Sequence, residues 1–136
     1  MQDKGPDPYV DNIEQLTLGN ENFRTAAWTG SFLQMTLMTI PIGGEVGLEV
    51  HEDTDQFLRV EQGTAKIIMG DSEDNLNQEW TAEEDFAIFV PAGIWHNIIN
   101  TGDESLKLYS IYAPPHHPHG TIHKTFQDAE EAEKSE

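Results

Sequence analysis

The sequence predicts an all-β fold, an antiparallel barrel or sandwich built from short strands. Short apolar and β-branched runs recur through the middle of the chain. Glycine, proline and asparagine separate these runs. No long helical period intervenes, which argues against a parallel α/β sheet.

Taken in order, residues 1–22 are expected to form a lead-in. Gly5, Pro6 and Pro8 make its first part loose. Between Tyr9 and Leu18 one or two helical turns are expected, capped by Asp11 or Asn12, with Ile13 and Leu16 on one side. The barrel itself is expected over 23–114. Strand-like runs there are Phe23–Trp28, Phe32–Ile40, Val46–His51, Gln56–Glu61, Ala65–Met69, Phe86–Val90, Trp95–Ile99 and Leu106–Tyr112. Gly63 and Gly70 close two of them, and Pro41, Pro91 and Pro114 stop others. Residues 115–136 form a histidine- and proline-containing segment and an acidic tail, read as a solvated end with a frayed helix.

Composition narrows the function. Among 136 residues, 25 are Asp or Glu and 7 are Lys or Arg, a formal charge of −18. Such a surface repels phosphate backbones, so nucleic acid is excluded as a partner. Strongly anionic small molecules are disfavoured too, unless the pocket is locally positive. Without cysteine the chain has no disulfide and no thiolate ligand. Its first residues lack the basic and apolar runs of a secretory signal, and no apolar run is long enough for a membrane span. A cytoplasmic location is expected.

Chemistry concentrates on three short segments. Along a strand, residues i and i+2 share a face, so Glu49 and His51 can point together. After the acidic turn 52–55, Gln56 opens the next run, sharing a face with Leu58 and Val60. Paired as a hairpin, the two strands would bring Gln56 to Glu49 and His51. His96 follows Pro91-Ala-Gly93, on a face with Ile98 and Asn100. Two imidazoles, a carboxylate and an amide oxygen suit one divalent transition metal. Zinc is the first expectation, with Mn, Fe, Ni and Co as the others.

These residues resemble the two motifs of the cupin superfamily. The second motif has the form G(X)5PXG(X)2H(X)3N. It is matched from Asp85 to Asn100 at every position but the first, where Asp85 replaces glycine. The first has the form G(X)5HXH(X)3–4E(X)6G and corresponds to Gly44–Gly63. There Glu49 stands in the slot of the first histidine, Gln56 in that of the glutamate, and the spacing from Gly44 differs by one residue. The resemblance implies a double-stranded β-helix, the cupin jelly-roll barrel, with metal ligands Glu49, His51, Gln56 and His96. It also implies a homodimer. The donor set of two histidines, one glutamate and one glutamine is similar to that of mannose-6-phosphate-isomerase-like cupins.

Three functions remain open from sequence. The first is a metal-dependent, isomerase-like enzyme acting on a small polar molecule such as a sugar or sugar phosphate. The second is a non-catalytic binding or sensing module, and the third an Fe-dependent oxygenase. No catalytic residue is assigned. Four of the six histidines, His116, His117, His119 and His123, cluster late in the chain. They are read as exposed imidazoles on a proline-pinned surface segment; the alternative is a flap over the barrel mouth. Trp95 is expected to face away from His96. Trp28, Phe32 and Met35 are expected either to line the pocket or to fill the core. Asn100 is expected to bond back to loop backbone and to ligate nothing.

Overall fold

The computed structural model describes residues 1–134; the last two residues of the acidic tail lie outside them. Two antiparallel sheets face each other. The larger joins β6 (Ala87–Val90), β3 (Asp55–Gln62), β8 (Leu106–Ala113), β2 (Gln34–Ile40), β1 (Arg24–Thr29) and β9 (Ile122–His123), in that order. The smaller joins β5 (Gln78–Ala82), β4 (Ala65–Gly70) and β7 (Trp95–Asn100). The expected all-β barrel is present.

Alternation explains the core. In β3, Gln56, Leu58 and Val60 are buried while Phe57 and Arg59 are less so. Cross-strand register carries that face onward: Val60 pairs with Leu108, and Leu108 with Met38. These side chains meet Ile67 and Ile98 of the smaller sheet in one apolar cluster. The neighbouring rows toward the other end of the large sheet are polar. Gln34, Tyr112 and Gln56 lie side by side in register, as do Thr36 and Ser110. All five are buried. The barrel interior is thus apolar at one end and hydrogen-bonding at the other.

Several local expectations need revising. The Val46–His51 run is not a regular strand, because Gly47 adopts φ +101°, a left-handed conformation that interrupts extended backbone. β5 and β9 were not expected. β5 is almost wholly exposed, and β9 is two residues long, so neither carries a period-2 signal. The first residues are not loose: the Lys4 N–H donates to the Ala27 carbonyl, and Trp28 Nε1 donates to the Asp7 carbonyl.

Both terminal helices are anchored. Helix α1 (Ile13–Gly19) has Asn12 as its cap, whose side chain accepts from the Gln15 N–H. Helix α2 (Phe126–Lys134) buries Ala129 and sets Phe126 against Phe23, ring centres 5.7 Å apart. Phe32 is exposed, and Trp28 and Met35 are only half-buried, so none of the three belongs to the core.

Asp85 has a conformational reason to depart from the motif glycine without changing the loop. Its φ is +74°, the left-handed region, which short polar side chains tolerate better than most. Its backbone N–H donates to the Val60 carbonyl, and its carboxylate pairs with Arg59.

Candidate metal centre

The centre is assembled on β7. Glu49 and His96 face each other and exchange both backbone hydrogen bonds, at 3.0 and 2.9 Å. The Gly93 N–H donates to the His51 carbonyl, and the Gly47 N–H to Asn97 Oδ1. Segment 44–51 therefore lies along β7, not against β3 as the hairpin expectation had it. Gly93, at φ +82°, lets the chain turn from Pro91 into β7.

The side chains converge. Glu49 Oε1 stands 3.3 Å from His51 Nε2 and 3.4 Å from His96 Nε2. One ligand atom from each of the three residues lies within 4.8 Å of the others. Two donors each about 2.0–2.2 Å from a shared ion, at a near-tetrahedral angle, stand about 3.3–3.6 Å apart. The observed spacings fall in that interval. Neither histidine Nε2 has a hydrogen-bond partner of good geometry, although His96 is 1% exposed and His51 6%. Buried polar atoms are normally satisfied, so these two lone pairs fit a cation better than they fit an empty core. His96 Nδ1 lies 3.1 Å from the Ile94 carbonyl, which makes Nδ1 the donor and leaves Nε2 free to ligate.

Gln56 comes from β3 on the opposite wall. Its Nε2 donates to Ser110 Oγ at 2.8 Å, and its Oε1 is buried without a partner. An amide oxygen freed in this way is available as a fourth donor. Burial alone would raise the Glu49 pKa. The close imidazoles of His51 and His96, as donors and as charges, outweigh burial and hold the carboxyl well below its usual range. The carboxylate is ionised, as a ligand must be.

A layer of aromatic and histidine side chains covers the centre. The His51 ring packs against His96, Tyr112 and His116, the last with ring centres 4.1 Å apart. His117 Nε2 lies 3.4 Å from the Tyr112 hydroxyl. Burial, helped by the charge of Arg24, lowers its pKa to about 2, so this imidazole is neutral. Burial raises the Tyr112 pKa, so its hydroxyl keeps its proton. Gln34, fully buried, pins the covering segment: Oε1 accepts from the His116 and His117 N–H groups, and Nε2 donates to the His117 carbonyl.

The surface reading of the late histidines holds for two of them and fails for two. His116 and His119 are exposed, and His119 Nε2 lies 2.8 Å from the Gly5 carbonyl. His117 and His123 are half-buried, and His123 Nδ1 lies 3.1 Å from Arg24 Nη1. Arg24, Gln34 and Tyr112 were missed as pocket residues. A lone arginine inside the apolar run Phe23–Trp28 was the available signal for the first.

Comparison with known proteins agrees with this architecture. The cupin domain profile matches residues 36–112, more than half of the chain. The uncharacterized protein YrkC of Bacillus subtilis (strain 168) is 56% identical over 133 residues, covering 98% of this chain and 72% of that protein. The uncharacterized protein L612 of Acanthamoeba polyphaga mimivirus is 38% identical over 115 residues, 84% of this chain and 70% of that one. The crystal structure of BH2720 from Bacillus halodurans superposes with a TM-score of 0.95 at 53% identity, covering 96% of this chain and 99% of that one. Among the described residues no helix is long and apolar enough to cross a membrane. With this profile covering more than half of its length, and with the barrel described above, the chain belongs to the cupin family.

Proposed function

We propose that this cupin binds one divalent transition metal through Glu49, His51, His96 and Gln56, and acts there on a small polar molecule. The observation that carries the reading is the meeting of His51 Nε2 and His96 Nε2, two buried nitrogens without a well-formed hydrogen bond, 3.3 and 3.4 Å from one carboxylate oxygen. Gln56 Oε1, equally buried and unpartnered, completes the donor set. Zinc is the first choice for two imidazoles, a carboxylate and an amide oxygen.

When bound, such an ion supplies Lewis acidity to a carbonyl or hydroxyl oxygen. The chain's own groups suit hydrogen bonding to a molecule held beside it. The Tyr112 hydroxyl keeps its proton and can donate a hydrogen bond, and the neutral His117 imidazole can accept one. Isomerisation of a sugar-like molecule fits such a polar site and needs no oxidant. A homodimer belongs to the same proposal. It is supported by the exposed apolar side chains Trp80, Phe86 and Phe89, which line a cleft of about 300 Å³ between the open edges β5 and β6.

Elemental analysis of untagged protein tests the reading directly. We expect about one transition metal per chain after purification or after incubation with Zn²⁺, Mn²⁺ or Fe²⁺. Light scattering on the same preparation is expected to give twice the chain mass. No uptake of any of the three ions would sink the centre. Iron as the resident metal, with oxygen consumption, would shift the reading to an oxygenase.

A further inference from the structure

Among the described residues, six buried side-chain polar atoms lack hydrogen-bond partners, and the metal reading accounts for three of them, His51 Nε2, His96 Nε2 and Gln56 Oε1. Of the other three, His51 Nδ1 belongs to a proposed ligand, and Arg24 Nε and Thr36 Oγ1 lie elsewhere in the same interior. Arg24 is on β1, 2% exposed, on the inward face that register shares with Met38. Thr36 is on β2, fully buried, paired with Ala26 two residues along that face. Among the described residues Arg24 forms no ion pair with a carboxylate. Its polar contact is His123 Nδ1 at 3.1 Å.

A buried guanidinium that meets an imidazole nitrogen and an aromatic face but no carboxylate is costly, and chains usually pair it. The chain is rich in Asp and Glu, yet among the described residues none forms an ion pair with Arg24. Arg24 lies instead beside the His123 imidazole and over the Phe23 ring, 5.3 Å from its centre. His123 packs on His117 with ring centres 6.2 Å apart, His117 packs on Tyr112, and Tyr112 packs on the proposed ligand His51. A contiguous row of polar rings therefore links the guanidinium to the metal centre. At the outer end of this row the exposed His116 stacks on Tyr112 and packs tilted against His51.

We infer that Arg24 is the anchor for an oxyanion, a carboxylate or a phosphate group, on the small molecule this barrel takes. The inference rests on the metal reading only for where the other end of that molecule lies. The planar fork of Arg24 supplies charge and paired donors matched to such a group. This also resolves an apparent conflict. A chain of charge −18 repels anions in general, so an anionic ligand requires a local cation, and Arg24 is one buried in the barrel.

The experiment is calorimetric titration of the metal-free protein with inorganic phosphate and, separately, with acetate, at constant ionic strength in chloride. One of the two probes is expected to bind once per chain, and which one does so identifies the group. Arg24→Met should weaken that binding about tenfold or more, as expected for loss of a charge-assisted hydrogen bond. The same variant should keep its metal stoichiometry and unfold at or above the wild-type temperature, because it removes an unpaired buried charge. Should Arg24→Met not fold, Arg24→Lys carries the test: it keeps the charge, loses the fork, and should bind the probe several-fold more weakly. Binding of neither probe, equal binding by the variant, or a fall of several degrees in the Arg24→Met unfolding temperature would each overturn the inference. Anion binding through Arg24 without metal uptake would retain this inference and discard the metal reading. Metal uptake without anion binding would do the reverse.

Discussion

His96→Ala is expected to abolish stoichiometric metal binding and to erase the thermal stabilisation that metal gives the wild-type protein. A ligand that binds only the folded state stabilises it by mass action, about 4 kcal/mol when present at a thousand times its dissociation constant. His96 is 1% exposed, and its Nε2 meets Glu49 Oε1 at 3.4 Å without a hydrogen bond of good geometry. The substitution also leaves a small cavity and an unpartnered Ile94 carbonyl, so the metal-free variant should itself lose about 1–3 kcal/mol. The decisive quantity is therefore the increment between metal-free and metal-loaded forms, measured by thermal unfolding of each protein with and without Zn²⁺. Wild type should show a large increment and the variant almost none. An undiminished increment in His96→Ala would place the ion elsewhere.

Glu49→Gln is informative by the same logic, since it removes the ligand charge and keeps the shape. Glu49 reaches the centre from an irregular segment, and the contrast with His96 shows what a sequence can reveal. His96 stands on β7, a regular strand after a proline–glycine turn, and its alternation with Ile98 and Asn100 predicts which way it points. Gln56, Leu58 and Val60 on β3 are legible for the same reason, and the burial of all three follows that period. Glu49 and His51 were expected to share a face, and they do, but their partner strand was not foreseeable. The left-handed Gly47 bends the segment onto β7 through a hydrogen bond to Asn97 Oδ1. Register between segments distant in sequence is set by such contacts, which a single chain read linearly does not contain. Arg24 escaped for a different reason. Its strand is buried at four successive positions, so alternation does not say which side chains face the interior.

Asn100→Ala is expected to destabilise the protein by about 3 kcal/mol or more, because one side chain satisfies several buried backbone groups at once. Its Nδ2 donates to the carbonyls of Ile40, Pro41 and Glu104, at 3.0, 3.2 and 2.9 Å. Its Oδ1 accepts from the Gly102 N–H at 3.0 Å. The residue is 3% exposed and closes β7 onto the end of β2 and the turn that leads into β8. Alanine removes every one of these bonds and offers nothing in return, and water reaches such a position poorly. Asn100→Asp should be nearly as damaging, since it aims a second acceptor at three carbonyl oxygens. Equilibrium urea unfolding of the metal-free proteins measures both losses. At temperatures where the variants remain folded, each should still take up one metal, because Asn100 shapes the second motif and donates nothing to the ion. A loss below about 1 kcal/mol, the range of ordinary surface substitutions, would show that these bonds exchange freely with water. Intact stability with lost metal would instead make Asn100 part of the centre.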